Sequence, residues 1–382
     1  MNFNLSQEQH SFFETVQAFA FEHIKPFAQK WEKDGTIPRT LWQHVANLGL
    51  GGLYVDEKYG GSQLSRFDGV LIFEAMAMSC PSVSAFLSIH NMAIAMIDRF
   101  GDENTRQKWL PKACKMEKIF SYCLSEPGCG SDAAALQTKA EKINNNYRIT
   151  GNKAFISGGG YSDCYLTMVR TGTKGPKGIS AIIIEHGNEG LSYGAFENKM
   201  GWRAQPTAQL QFDQCPIPLE NLIGEEGKGF NYAMAGLDGG RLNIAAASLG
   251  GAQAAHLATL KYMSERQAFG KKLNAFQALQ FRLADHEVKL QSARAFLYQA
   301  AWKLDQKTQD ATHFCAMAKL YVSDVCFEVA NDCLQLHGGY GYLCDYGIEK
   351  IVRDLRVHQI LEGTNEIMRV IIARHLLDKT YE

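Results

Sequence analysis

The chain has 382 residues, 46% of them hydrophobic, and a net charge of −1 from 39 basic and 40 acidic side chains. This composition is typical of a globular protein and excludes a largely disordered chain, a collagen-like repeat and a small disulfide scaffold. Balanced charge without a basic run argues against a nucleic-acid-binding arm. At about 150 residues per domain, the length predicts two or three domains.

The first part of the chain is predicted to be helical. Ser6 and Gln9 form a capping-box pattern, and apolar residues follow at helical spacing as far as Ile24. Further helices are predicted over 41–48, 66–79 and 82–100, the last one ending at a glycine. Four helices with apolar faces in about 110 residues favour a helical bundle.

The middle of the chain is predicted to be β-rich. Short strands are expected over 121–126, 139–143, 147–150, 164–170, 179–185 and 209–212, with Asn144, Asn145 and Asn146 as a hairpin turn. Glycine and proline separate these runs. The pattern predicts an antiparallel sheet or barrel of about 100 residues.

The last part of the chain returns to helical periodicity. Helices are predicted over 230–264, 277–306, 311–336, 345–354 and 364–378, and the long helices with short connections are typical of an antiparallel bundle. The uncharged stretch 242–260 contains Asn243, Ser248, Gln253 and His256. These polar residues indicate a buried helix and not a membrane span.

Cysteine and histidine spacing gives no sign of disulfides or of a metal. The ten cysteines include no C-x-x-C pair, so we expect them to be reduced, and no two histidines lie three or four residues apart. We therefore predict no metal site. The start MNFNLSQEQ lacks the features of a signal or transit peptide. It predicts a bacterial cytoplasmic protein, with a mature protein of the mitochondrial matrix as the alternative.

Two motif matches fail in their context. The run 128–133 fits G-x-G-x-x-A, but a hairpin follows it, and no acidic residue stands about 20 positions on as a Rossmann unit requires. The run 190–194 fits the G-x-S-x-G nucleophile elbow, but residues 195–201 are too short for the helix that the elbow needs. We interpret the second match as a surface turn.

Two glycine-rich segments have a composition that suits a ligand. Residues 122–132 pass from a strand into a Pro-Gly-Cys-Gly turn flanked by Ser125 and Ser131, whose hydroxyls can donate to phosphate. Residues 337–342 hold more glycines than a helix C-cap needs, which favours close approach of the backbone to a flat or phosphorylated group. A locally capped turn and a plain helix end remain the alternatives.

A third segment, 361–366, carries a possible base. Thr364 is a good N-cap for the last helix, and Glu362 follows the apolar pair Ile360 and Leu361. A carboxylate in apolar surroundings has a raised pKa, which suits proton abstraction. An ordinary surface glutamate before a helix is the alternative.

Taken in order, seven segments resemble the acyl-CoA dehydrogenase family of flavoproteins. They are YCLSEPGCGSD (122–132), KAFISGG (153–159), GWRAQPTA (201–208), LDGGR (237–241), ERQAFGKKL (265–273), QLHGGYGY (335–342) and LEGTNEIMRVIIAR (361–374). The resemblance implies an α+β multidomain fold with an N-terminal α-helical domain (1–118), a middle antiparallel β-barrel-like domain (119–227) and a C-terminal four-helix bundle (228–382).

The same resemblance implies a reaction and partners. The expected reaction is the α,β-dehydrogenation of an acyl-CoA thioester with one FAD per subunit, in a homotetramer that passes electrons to electron-transfer flavoprotein. Segments 88–92 and 339–363 are closest to members acting on short branched chains, so the expected substrate is isobutyryl-CoA, oxidised to methacrylyl-CoA in valine catabolism. 2-Methylbutyryl-CoA and butyryl-CoA are alternatives, as are an acyl-CoA oxidase and a non-catalytic flavin-binding relative.

The resemblance also assigns residues. Glu362 is the expected base. Some members instead carry the base on the first long helix of the C-terminal part, where this chain has Gly240. Predicted FAD contacts are Tyr122, Cys123, Leu124, Ser125, Gly130, Ser131, Phe155, Ile156, Ser157, Arg266, Phe276, Gln277, Gln335, Leu336, His337, Gly338, Gly339, Thr364, Asn365 and Glu366, with Arg266, Phe276 and Gln277 reaching across a subunit interface. Predicted CoA contacts are Ser131, Asp238, Gly239, Gly240, Arg241 and Arg374.

Overall fold

The computed structural model describes residues 5–378. The first four residues of the N-terminal segment MNFNLSQEQ, which was compared above with signal and transit peptides, lie outside the described residues. The order of elements is helices, then strands, then helices, as predicted. The first group consists of α1 Gln7–His23, α2 Ala28–Asp34, α3 Arg39–Asn47, α4 Arg66–Ala77, α5 Pro81–Phe100 and α6 Glu103–Cys114.

Local sequence signals account for most of these N-terminal helices. The predicted capping box is present at α1, where the Ser6 side chain accepts from the Gln9 N–H and the Gln9 side chain accepts from the Ser6 N–H. The predicted helices 41–48, 66–79 and 82–100 correspond to α3, α4 and α5. Helices α2 and α6 were not predicted. Helix α6 is mostly polar and contains Pro111, so its sequence has little helical signature.

The middle of the chain forms one sheet of eight strands. They are β1 Phe120–Cys123, β2 Lys139–Ile143, β3 Asn146–Ser157, β4 Cys164–Arg170, β5 Ile179–Glu185, β6 Leu191–Tyr193, β7 Thr207–Pro218 and β8 Leu222–Ile223. The order is β6-β7-β3-β2-β4-β5-β8, and β1 pairs with β4. Most pairs are antiparallel as predicted, but β1 runs parallel to β4, and β2 and β4 form one parallel pair, Lys139 with Arg170.

The C-terminal part is a helical bundle with a small hairpin. Its elements are α7 Gly229–Glu265, the hairpin strands β9 Gln267–Ala268 and β10 Lys271–Lys272, α8 Gln277–Asp305, α9 Ala311–Leu336, α10 Ile348–Arg356 and α11 Asn365–Asp378. The predicted helices match these bounds closely. Helix α7 is the buried helix expected from the uncharged stretch, with 242–252 fully enclosed. Between residues 5 and 378, no helix combines the length and apolarity needed to cross a membrane.

One hydrophobic core joins the two helical parts. Phe73 of α4 and Phe86 of α5 belong to the same buried cluster as Leu249 of α7, Leu297 of α8 and Val322 of α9. All ten cysteines are unpaired with one another in this structure, and only Cys344 is exposed. Within residues 5–378, the N-terminal helices thus pack against the C-terminal bundle as parts of one interior.

A buried ion pair crosses this shared core. Glu74 of α4, only 1% exposed, accepts hydrogen bonds from Arg294 Nε at 3.0 Å and Nη2 at 2.8 Å. Tyr298 Oη donates to the other carboxyl oxygen at 3.3 Å. Burial raises the pKa of Glu74, and the Arg294 guanidinium opposes that rise.

We expect Arg294→Met to lower the thermal stability clearly, because it leaves the Glu74 carboxylate buried without its cation. Breaking a buried pair in this way costs about 3–5 kcal/mol. The control is Lys30→Met, which removes an exposed ion pair with Asp34 and should leave the melting temperature unchanged. Equal melting temperatures for the two variants, measured by calorimetry, would contradict this account of the core.

Candidate functional site

Glu362 lies in the loop between α10 and α11 with a left-handed backbone. Its φ is 55°, and the following Gly363 has a φ of 88°. A non-glycine residue in this region is uncommon and marks a turn that the surrounding structure enforces. The turn directs the Glu362 side chain towards α7.

The Glu362 carboxyl group lies over Gly240 of α7. A Cβ placed on Gly240 would be 2.7 Å from Glu362 Oε2 and 2.9 Å from Met92 Sδ of α5. The Oε2 atom is buried and has no hydrogen-bond partner among the described residues. Burial raises the pKa of Glu362 to about 7, while Arg241 and Lys319 act to lower it. A side chain at 240 and the carboxylate of Glu362 would therefore compete for one position.

Arg241 and Asp238 support this loop from α7. Arg241 Nε donates to the Glu362 carbonyl at 3.3 Å, and its Nη1 donates to Asp238 Oδ1 at 2.7 Å. Thr312 Oγ1 donates to the other oxygen of Asp238 at 2.6 Å. Both charged side chains are buried, so neither is a plain surface charge of α7. Their predicted contact with CoA remains a prediction.

Lys319 of α9 supports the loop from the other side. Its fully buried Nζ donates to the Gly363 carbonyl and to Asn365 Oδ1, both at 2.8 Å. Asn365 Nδ2 in turn donates to Ser323 Oγ at 3.0 Å and to Asp324 Oδ1 at 2.7 Å. Burial lowers the pKa of Lys319 to about 7, and the nearby Glu362 opposes that change. Nothing in the sequence indicated Lys319, because no local pattern distinguishes a buried lysine in a helix from an exposed one.

This network bears on two predicted features at the start of α11. The Asn365 side chain is turned inward onto α9, so only its backbone is left for the predicted contact with FAD. The predicted N-cap at Thr364 is present, since its Oγ1 accepts from the Ile367 N–H at 3.3 Å. Glu366 and Arg374 are exposed on α11.

The turn after β1 is held by a buried ion pair that sequence reasoning also missed. Lys153 Nζ donates to Glu126 Oε1 at 2.8 Å and to the Leu124 carbonyl at 3.0 Å. Glu126 also accepts from the backbone N–H groups of Gln137 and Thr138. Lys153 is fully buried and Glu126 is 8% exposed. The charged pair therefore fixes a loop whose tip, Gly130 and Ser131, is exposed.

The predicted FAD contacts around this turn differ in burial and in hydrogen bonding. Tyr122 has a buried Oη without a hydrogen-bond partner among the described residues, whereas Ser125 is half-buried. Cys123 and Ile156 are buried in the apolar core of the sheet. Their side chains face the interior of the sheet, as alternate strand residues do, so the predicted contact of these two residues with FAD would involve backbone atoms. Their backbone atoms remain available.

Phe155 lies on a bulge in β3. The register between β3 and β7 shifts between Lys153 and Ile156, and Phe155 has a φ of 59°. Its ring is 72% exposed. A strained backbone that turns an aromatic ring outward is suited to binding a flat group. The neighbouring Ser157 is half-buried, and its carbonyl accepts from Ser121 Oγ at 2.6 Å.

A second group of predicted residues lines a cleft at the end of α9. The cleft has a volume of about 490 Å³. Its lining consists of Tyr262, Arg266, Leu273, Gln335, Leu336, His337, Gly338, Gly339, Tyr340 and Leu343. Six predicted FAD contacts therefore come together here. Phe276 and Gln277 are not in the lining, and neither is Glu362, so the chain presents two separate groups of predicted residues.

The groups that these surfaces present suit the chemistry of FAD. Space is open beside the Cα atoms of Gly130, Gly338 and Gly339, so a ligand can approach the backbone at each position. Phe155 offers a flat apolar face, and Arg266 in the cleft can pair with a phosphate. Tyr122 Oη and Glu362 Oε2 are buried without a hydrogen-bond partner among the described residues, and the polar groups of a bound ligand could supply one.

Comparisons with known sequences agree with this arrangement. The chain matches the N-terminal (residues 6–117), middle (121–215) and C-terminal (227–377) domains of acyl-CoA dehydrogenase. It is 52% identical to the mitochondrial isobutyryl-CoA dehydrogenase of Dictyostelium discoideum over 97% of this chain and 90% of the relative. The corresponding enzyme of Bos taurus is 48% identical over 98% and 90%.

Solved structures share the whole fold. Butyryl-CoA dehydrogenase of Megasphaera elsdenii superposes with a TM-score of 0.95 at 36% identity, covering 99% of this chain and 100% of the other. A chain from work on the electron transferring flavoprotein of Acidaminococcus fermentans gives 0.96 at 37%, with the same coverage. PigA, in a structure with FAD and proline, gives 0.94 at 30%, covering 98% and 99%.

Three consecutive helical, β and helical parts with a buried carboxyl at their junction define a flavin-dependent oxidoreductase of the acyl-CoA dehydrogenase type. The chain belongs to the acyl-CoA dehydrogenase family.

Proposed function

We propose that the protein uses FAD to oxidise isobutyryl-CoA to methacrylyl-CoA, with Glu362 as the base. The observation that supports this most is the Glu362 carboxyl, held in a fixed turn with a buried oxygen that no described group satisfies. Isobutyryl-CoA dehydrogenases are also the relatives near 50% identity. 2-Methylbutyryl-CoA and butyryl-CoA are the substrates against which the preference should be measured.

The protein residues carry the proton-transfer half of this reaction. An α-proton next to a thioester is weakly acidic, so its removal needs a base whose pKa is near the working pH. Glu362 meets this requirement, since burial raises its pKa to about 7. Arg241 and Lys319 hold the two consecutive carbonyls of the loop, which keeps the carboxylate at one position over α7. FAD, when bound, supplies the acceptor for the hydride that leaves the β-carbon.

In this proposal, the surfaces described above bind FAD and CoA. Backbone groups of 122–131 and 155–157, with the exposed ring of Phe155, would hold the flavin, and Thr364 and Glu366 lie beside Glu362 at the start of α11. For CoA, we propose that Ser131 and Arg374 contribute exposed polar groups. Asp238, Gly239, Gly240 and Arg241 would border the reacting end of the thioester.

The assembly and electron acceptor are part of the proposal. We infer a homotetramer, supported by apolar side chains that one subunit leaves exposed on α7, α8 and the β9–β10 hairpin: Leu257, Leu260, Phe269, Phe281 and Val288. Arg266, Phe276 and Gln277 belong to the same region, so contact with FAD of a neighbouring subunit is compatible with their position. Electron-transfer flavoprotein is the proposed acceptor. The reaction would take place in the bacterial cytoplasm or in the mitochondrial matrix, according to the host.

We expect Glu362→Gln to abolish flavin reduction, because the amide cannot accept the α-proton. Loss of a general base should lower the rate at least about 100-fold. The measurement is the bleaching of the oxidised flavin band during anaerobic titration with isobutyryl-CoA. Glu328→Gln, at an exposed position of α9, is the matched control and should behave as wild type. Normal bleaching in Glu362→Gln would rule out Glu362 as the base.

The rate should also depend on pH with a definite sign. Because only the deprotonated carboxylate acts as a base, we expect kcat/KM to rise about tenfold per pH unit below 7 and to level off above it. The kcat/KM profile reports the pKa of the free enzyme, so it tests the raised pKa of Glu362 directly. A flat profile down to about pH 5 would mean that the carboxyl keeps an ordinary pKa.

We expect Lys319→Met to change both the rate and its pH dependence. Without the hydrogen bond to the Gly363 carbonyl, the loop loses its anchor, and kcat should fall about 10- to 100-fold. Without the cation, the apparent pKa in kcat/KM should rise, whereas flavin content should stay at the wild-type level. Lys289→Met, which removes a surface pair on α8, is the control. An unchanged pH profile in Lys319→Met would contradict the proposed role.

A further inference from the structure

Three neighbouring helices each bring one metal-binding side chain to the same point in the C-terminal bundle. His256 comes from α7, His286 from α8 and Cys333 from α9. One ligand atom of each residue lies within 4.8 Å of those of the other two, and all three residues are buried. They are far apart in the sequence, so residue spacing could not predict the group.

The distances are close to those of a metal centre. Zinc bonds of about 2.0–2.1 Å to nitrogen and about 2.3 Å to sulfur place tetrahedral ligand atoms roughly 3.3–3.6 Å apart. Cys333 Sγ is 3.9 Å from His286 Nδ1, and the two imidazole rings have centroids 5.6 Å apart at an angle of 76°. Small side-chain rotations would therefore bring the three atoms to bonding distance of one ion.

A carboxylate orients one of the histidines as metal centres require. His286 Nε2 is 2.7 Å from Asp332 Oδ2, and Asp332 is itself paired with Arg282. A bond between Nε2–H and the carboxylate leaves the lone pair on Nδ1, the nitrogen that faces Cys333. Ligating histidines commonly donate their other ring nitrogen to a carboxylate in this way.

His256 supplies an observation that the protein groups alone leave unexplained. Its Nδ1 is buried and has no hydrogen-bond partner among the described residues. Its Nε2 lies 3.7 Å from Glu287, a carboxylate whose side chain is 52% exposed. A buried ring nitrogen without a partner is costly unless a ligand satisfies it.

We propose that His256, His286 and Cys333 bind a divalent transition-metal ion, Zn²⁺ above all. Two imidazoles and a thiolate are a donor set that favours zinc over magnesium or calcium, and the fourth position would take water. On binding, the Cys333 thiol loses its proton to solvent and the thiolate bonds the ion, without any change of oxidation state. Such an ion would connect α7, α8 and α9, away from Glu362.

The test uses Co²⁺ as a spectroscopic substitute for Zn²⁺ in the flavin-containing holoenzyme. Purified protein is incubated with CoCl₂ and dialysed, and cobalt is then measured by elemental analysis and by its absorption bands beyond the flavin spectrum. We expect about one cobalt ion per subunit in the wild type and less than about a tenth of that in Cys333→Ala. ZnCl₂ should displace the cobalt and raise the melting temperature of the wild type but not that of Cys333→Ala.

Cys326→Ala is the matched control, because Cys326 is a fully buried cysteine on the same helix and outside the group. It should retain cobalt as the wild type does. His256→Leu serves as the second variant if Cys333→Ala fails to fold, which its flavin absorbance reveals, and it should lose cobalt. The proposal is overturned if the wild type retains no more cobalt than Cys333→Ala, if His256→Leu retains it fully, or if Cys326→Ala loses it.

Discussion

The site depends on one constraint, the left-handed turn at Glu362. Glu362 has a φ of 55° and is held in this turn by two basic side chains. Arg241 donates to the Glu362 carbonyl, and Lys319 donates to the Gly363 carbonyl. The two cations come from α7 and α9, so the position of the carboxylate follows the packing of these helices. The cations stabilise the ionised carboxylate and burial destabilises it, and burial has the larger effect.

Buried charges serve a similar purpose elsewhere in the molecule. Lys153 and Glu126 fix the turn after β1, where repeated glycines would otherwise leave the backbone free, and Glu74 and Arg294 join α4 to α8. Burying each pair costs the hydration free energy of two charges, a cost that hydrophobic residues in the same place would avoid. In return, each pair selects one geometry at the place where two elements meet. We infer that these pairs contribute a defined geometry where elements meet more than they contribute stability.

The division of the predicted FAD residues has a consequence for the assembly. The residues near Glu362 and those in the cleft at the end of α9 lie in two groups, and no residue of the first lines the cleft. An extended dinucleotide could contact both kinds of surface if the second were provided by another copy of the chain. The exposed apolar side chains near Phe276 are compatible with this arrangement, so the proposed cofactor site and the proposed tetramer support each other.

The sequence by itself determined the order of elements, most helix bounds, the family resemblance and the candidate base, because these depend on local periodicity, caps and short motifs. It did not reveal Lys319, Lys153 or the group of His256, His286 and Cys333, nor the inward turn of Asn365. Burial and charge pairing arise between elements distant in the chain, and the raised pKa of Glu362 follows from the same packing. Only the tertiary structure could decide them, because a side chain's surroundings are set by the helices and strands that pack against it.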